Sequence, residues 1–194
     1  MADTSSTMMP LGTPAPDFTL SDVTSGKQVR RADFESASGL LVIFLSRHCP
    51  FVKHVQEKLA EVCNSYLQEG LGVVAICSND TEKYPGDGPD NMREQAREVG
   101  FRFPYLFDES QEVARAYGAA CTPDFFLFDD ELKLAYRGQF DSSRPSNDIP
   151  VTGADLVRAI EAVLAGDPVP AEQVPSMGCN IKWKPGNEPA YAIS

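Results

Sequence analysis

Three features of the sequence predict an α/β domain with parallel buried strands and a late β-hairpin. Two runs, Leu40 to Leu45 and Leu71 to Cys77, are apolar without alternation, as strands covered on both faces are. Between them, from Pro50 to Gln68, apolar residues at Val52, Val55, Leu59, Val62 and Tyr66 fall three and four apart, the spacing of one helix face. Downstream, Asp124 to Phe128 and Lys133 to Gln139 flank a short turn at Asp129-Asp130, which reads as an antiparallel hairpin.

In chain order, residues 1–13 read as a disordered N-terminus. A proline-punctuated stretch from Gly12 then enters a short strand at Phe18 to Leu20, and the turn Thr24-Ser25-Gly26-Lys27 leads to a second at Gln28 to Arg30. Together these predict an N-terminal β-hairpin. Residues 31–37 suit one helical turn before the central strand, 39–46. Gly70 ends the long helix. Ser78 to Asp90, with Pro85, Gly86, Gly88 and Pro89, reads as an inserted loop whose acidic patch, Asp87 to Asp90, is solvated. A helix over Asn91 to Val99, a strand over Phe103 to Phe107 and a helix over Glu109 to Tyr117 follow. The last helix spans Gly153 to Ala165, with Leu156, Ile160, Val163 and Leu164 inward. The predicted domain is thus 14–165, with a proline-rich tail, 166–194, packed on it.

The chain has 194 residues, 42% of them hydrophobic, which suits one globular domain with extensions. A net charge of −11 without a basic stripe argues against a nucleic-acid partner. No run approaches the roughly 20 apolar residues that cross a bilayer, so no membrane partner is expected. The first twenty residues lack a basic start and an apolar core, which makes a cytoplasmic location the expectation. Five cysteines, Cys49, Cys63, Cys77, Cys121 and Cys179, are an odd number without paired-ligand spacing, and in a reducing compartment they read as free thiols. His48, His54 and Cys49 lack the spacing of a metal site, and no metal or cofactor is expected.

The chemistry concentrates where the central strand stops. Ser46-Arg47-His48 is followed by Cys49, then Pro50 and the helical pattern. Proline suits the first helical position, where its missing N–H has no intrahelical partner anyway. The sulfur of Cys49 then sits where the helix amides converge, and their positive end favours a thiolate. Arg47, His48 and Lys53 add positive or polar neighbours. A small buried thiol is the blander account of Cys49, and the polar and basic neighbours on both sides argue against it; thiol chemistry requires its sulfur to be in reach of solvent. Cys63, on the apolar side of a helix, and Cys77, inside an apolar strand, read as core thiols.

The order βα, βα, hairpin, helix resembles the thioredoxin-like fold, here with an N-terminal β-hairpin, an inserted helix and a C-terminal tail. Ala15-Pro16-Asp17-Phe18-Thr19-Leu20, Cys49-Pro50-Phe51-Val52-Lys53, Cys121-Thr122-Pro123-Asp124, Tyr136-Arg137-Gly138-Gln139 and the tail Pro175 to Trp183 are similar to motifs of peroxiredoxin-like proteins of the alkyl hydroperoxide reductase and thiol-specific antioxidant (AhpC/TSA) superfamily. Val52 stands where the second cysteine of a thioredoxin site would be. The resemblance implies a cis peptide before Pro123 facing the site and an antioxidant thiol oxidoreductase that reduces peroxides or disulfides through Cys49. It offers Cys121, just before Pro123, or Cys179, in the tail, as the thiol that resolves oxidised Cys49. Glutathione needs no second cysteine. Arg47, His48, Pro50, Thr122, Pro123 and Arg137 are the implied substrate-binding residues, Arg137 by reaching the cleft with its charge. An external thiol reductant, thioredoxin or glutathione, and a homodimer are the implied partners. The alternative is a non-catalytic redox sensor or protein-binding module, because Cys49 has no second cysteine at position 52.

Overall fold

A computed structural model describes residues 3–193. The first two residues of the N-terminal stretch expected to be disordered lie outside that range. Seven strands form the main sheet: β2 (Thr19–Asp22), β3 (Gln28–Arg30), β4 (Gly39–Phe44), β5 (Leu71–Cys77), β6 (Tyr105–Phe107), β8 (Asp124–Phe128) and β9 (Leu134–Tyr136). Their order is β3-β2-β6-β5-β4-β8-β9. β4, β5 and β6 run parallel, while β8 lies antiparallel to β4 and β9 antiparallel to β8. Parallel neighbours need crossover connections. Here α1 (Pro50–Leu67) joins β4 to β5, and α2 (Pro89–Val99) joins β5 to β6. The last helices are α3 (Glu112–Tyr117), α4 (Ala154–Ala165) and α5 (Ala190–Ile193). None of the described helices is long and apolar enough to cross a membrane.

The unalternating strands divide their residues between two cores. Leu41 and Ile43 of β4, Val73 and Ala75 of β5, and Phe125 and Leu127 of β8 pack with Val52, Val55 and Leu59 of α1. Leu40, Val42, Phe44, Val74, Ile76, Phe126 and Phe128 face the other way and pack with Ala114 and Tyr117 of α3. Side chains alternate across a strand, so a sheet apolar on both faces needs exactly such cover from both sides. The expected hairpin of β2 and β3 and the long first helix form within a residue or two of their predicted limits, and the late hairpin forms with its second strand ending three residues earlier than predicted, at Tyr136.

The N-terminus departs from expectation. Asp3–Ser5 is a strand, β1, paired with the tail strand β10 (Met177–Asn180), which itself pairs with β7 (Cys121–Thr122). This three-stranded sheet, β1-β10-β7, continues where Ser6 N–H donates to Ser176 O at 2.9 Å and the Thr7 hydroxyl to Gly118 O at 2.7 Å. Polar residues 3–7 have no apolar periodicity that would signal a strand. Their order comes from backbone groups of a distant segment, which periodicity does not register.

Candidate active site: a buried pair of thiols

Cys49 caps α1 in extended conformation and Pro50 occupies the first helical turn, as the local pattern requires. Cys49 is nevertheless fully buried, so the expected contact of its sulfur with solvent is corrected. Its thiol donates to the Thr122 carbonyl oxygen at 3.1 Å, in the residue before the cis peptide Thr122-Pro123. β10 sets Cys179 opposite Thr122, the residue whose carbonyl accepts the Cys49 thiol. Burial first, then the neighbouring Cys49 thiol, push the Cys179 thiol well up, while Lys182 and the Phe51 N–H, in the first turn of α1, act in the opposite sense.

Lys182 was not among the expected site residues. It is buried, and its Nζ donates to the Asn180 carbonyl at 2.8 Å and to Asn180 Oδ1 at 2.7 Å. Burial pulls the ammonium down from the ordinary lysine range, while Cys179, Cys49 and Asp87 oppose that pull. Lys182 is thus a buried cation whose charge is felt at Cys179, whereas Lys53 is exposed. The only sign of it in the sequence is its place three residues after Cys179.

Asp87 corrects a second expectation. The loop read as solvated delivers this carboxylate, fully buried, to the end of β4. The Ser46 hydroxyl donates to both its oxygens at 3.0 and 3.1 Å, Arg47 N–H to Oδ1 at 2.8 Å and Asn79 Nδ2 to Oδ2 at 2.7 Å. His48 Nδ1 stands 2.6 Å from Oδ2, its ring stacked on Tyr84 with centroids 5.8 Å apart. Buried carboxylates persist when donors converge on them, and here they shape the turn that presents Cys49. No sequence signal separates Asp87 from Asp90, which is exposed.

The remaining expected residues divide. Pro50 and the Thr122-Pro123 peptide flank Cys49, and a cleft beside Pro123 is lined by Phe51, His54, Phe125, Phe140, Arg144 and Met177. Arg47 and His48 line a different depression with Lys53 and Glu98, where the Arg47 guanidinium is held by Glu94 at 2.6 Å and Asn91 at 2.7 Å. Arg137 does not reach the site. Its guanidinium donates to Met9 O at 2.9 Å and Gln173 Oε1 at 2.8 Å, clamping the N-terminal arm to the tail. Cys121 is buried on β7 and donates to Pro123 O at 3.6 Å. Burial, and next Asp124, push its thiol well above the ordinary range. Cys63 and Cys77 are core thiols, as expected.

Asp124, the first residue of β8, is fully buried. Its Oδ2 accepts from Ala120 N–H at 3.2 Å. Ser6 and the amides of Cys121 and Phe125 lie near the carboxyl, yet Oδ1 has no well-formed hydrogen bond among the described residues. Burial pushes the carboxyl up to about 7 despite these donors. A carboxyl raised in the folded state favours folding fully below its unfolded value, about 4, and that contribution is lost as pH rises through about 7. The wild-type protein should therefore lose on the order of a few kcal/mol between pH 4 and 8 that an Asp124→Asn variant does not lose. Urea unfolding of both proteins at pH 5 and pH 8 measures this. Equal pH dependence in the two would show that Asp124 is ionised throughout.

Residues 11–137 match the AhpC/TSA family. A thiol-disulfide oxidoreductase ResA of Geobacillus thermodenitrificans is 28% identical over 131 residues, 68% of this chain and 70% of that protein. The crystal structure of an uncharacterized conserved protein from Geobacillus kaustophilus superposes with a TM-score of 0.94 at 54% identity, over 96% of this chain and 98% of the other. A putative thiol:disulfide interchange protein DsbE from Chlorobium tepidum superposes with a TM-score of 0.62 at 22% identity, over 80% of this chain and 99% of the other. That likeness shows the thioredoxin-like fold alone.

Proposed function

Because the chain belongs to the AhpC/TSA family, we propose that it is a thiol–disulfide oxidoreductase in which Cys49 is the nucleophile and Cys179 the resolving thiol. One observation carries this: β10 sets Cys179 opposite Thr122, whose carbonyl oxygen accepts the Cys49 thiol hydrogen bond at 3.1 Å, although no second cysteine exists at position 52. Exchange needs a thiolate and a second thiol in line with it. The α1 N-terminus and the buried Lys182 ammonium are the groups that favour negative charge there. Because Cys49 is buried, exchange requires the residues packed over its sulfur to move aside; Cys49 then attacks one sulfur of a disulfide, and the other sulfur leaves as a thiol. Cys179 then attacks Cys49, releasing the second half of the substrate reduced and leaving a Cys49–Cys179 disulfide. An external thiol, thioredoxin or glutathione, returns the pair to its reduced state. A second thiol beside Cys49 also removes the reason to regard the site as unable to cycle, and so favours turnover over the binding-module alternative.

The test is peptide mapping after stoichiometric oxidation with a small disulfide. The expected product is one intramolecular bond, Cys49–Cys179, and a Cys179→Ser variant should stop at a mixed disulfide on Cys49. A Cys49–Cys121 bond would reassign the resolving thiol, and no modification of Cys49 would end the proposal.

A further inference from the structure

A buried ammonium is costly unless something answers its charge. Lys182 is 8% exposed, and its backbone is fixed at three points. Its N–H donates to Asn79 Oδ1 at 2.8 Å, and its carbonyl accepts from Asp80 N–H at 2.8 Å and from Gln111 Nε2 at 2.9 Å. The ammonium itself donates only to neutral acceptors, the carbonyl and side-chain oxygens of Asn180. It also lies over the Tyr84 ring, 5.9 Å from the centroid, as Lys83 does at the same distance, and His48 stacks on that ring. Among the described residues no carboxylate stands within ion-pair distance of Lys182. Asp87, whose charge does reach it, is already engaged by Ser46, Arg47 N–H, Asn79 and His48. The other groups of negative charge that reach Lys182 are the two sulfurs, Cys179 and Cys49.

We propose that Lys182 is the counter-ion of a single thiolate carried by the reduced Cys49–Cys179 pair, and that its charge makes the pair a more oxidising couple than two neutral thiols would be. This rests on thiol exchange at Cys49 and bears on which disulfides the site can reduce. The two sulfurs do not both ionise, because burial and the neighbouring Cys49 push the Cys179 thiol up to about 12. The reduced pair then holds one thiol proton and one negative charge, and one ammonium balances that charge. When the pair reduces a disulfide, two electrons pass to the substrate and the two sulfurs join. The substrate leaves as two thiols, one taking the pair's remaining proton and the other a proton from solvent. Lys182 is then left inside the fold without its thiolate, so its charge favours the reduced state over the oxidised one. A couple whose reduced form is stabilised has the higher potential. It accepts electrons readily from small thiols, and it passes them on to strained and exposed disulfides, whose potentials are higher than those of structural ones.

The experiment equilibrates the full-length protein and its Lys182→Met and Lys182→Arg variants with reduced and oxidised dithiothreitol at pH 7 and pH 8. Acid quenching and peptide mapping then give the fraction holding the Cys49–Cys179 bond. Dithiothreitol keeps both thiol protons in this range, so reducing the protein to one thiol and one thiolate releases one proton. The wild-type equilibrium should therefore move about tenfold toward the reduced protein over that pH unit. An opposite charge close by shifts a pKa by about one unit or more. Lys182→Met should accordingly lie about tenfold further toward the disulfide, a potential lower by about 30 mV, with a weaker pH dependence. Lys182→Arg, which keeps the charge, should restore most of both. Equal equilibria for the wild type and Lys182→Met, or a Lys182→Arg variant that behaves as Lys182→Met does, would overturn the proposal, while exchange stands because the bond forms. If no Cys49–Cys179 bond forms at any ratio, the exchange itself falls and the counter-ion with it. Should Lys182→Met not fold, the wild type still decides: no change between pH 7 and pH 8 means two neutral thiols and no thiolate for Lys182 to balance.

Discussion

A Cys49→Ser variant should reduce bis(2-hydroxyethyl) disulfide, with external thiol in excess, at least about a thousandfold more slowly than the wild type, the scale on which losing a nucleophile acts. The substitution changes one atom, and a serine hydroxyl does not ionise in the range where thiols do. Stability should hold or rise slightly, since Cys49 is the N-cap of α1 and serine is among the preferred residues there. The pair of results matters. Lost exchange with an unchanged Tm assigns the chemistry to the sulfur, whereas retention of a tenth or more of the wild-type rate would remove Cys49 from the nucleophile's role.

Asp87→Ala should be the most destabilising single change near the site. It takes away the acceptor on which the Ser46 hydroxyl, the Arg47 amide and the Asn79 amide converge, and it strips His48 of its 2.6 Å partner. Donors left unpaired inside a fold each cost free energy, and breaking a buried charged cluster costs about 3–5 kcal/mol. For a chain of this size that corresponds to a Tm lower by about 10 °C. Exchange should slow as well, because the same carboxylate holds the Ser46–His48 turn that leads into Cys49. Thermal unfolding together with disulfide turnover at a temperature where the variant is folded checks both effects. A Tm within about 2 °C of the wild type would mean that water takes the place of the carboxylate at no cost.

The sequence was most legible where neighbours along the chain do the work. The apolar runs of β4 and β5, the three- and four-residue steps of α1 and the turn before β9 obey short-range rules, and they formed as read. Arg137 shows the limit. Its charge suggested a substrate contact, yet Met9 and Gln173, distant in sequence, hold it. The order of residues 3–5 and the burial of Asp87 were hidden for the same reason: each depends on donors and acceptors supplied by remote segments.

By itself, then, the sequence determined the α/β core and a cysteine set between a buried strand and a helix-opening proline, since steric and capping preferences act within a few residues. Only the tertiary structure decided which thiol faces Cys49. The sequence offers both Cys121 and Cys179. The antiparallel register of β10 on β7, made possible by a glycine against the Thr122 carbonyl, brings Cys179 to the site. Such a choice rests on backbone pairing between segments far apart in the chain, and composition and periodicity carry no record of it.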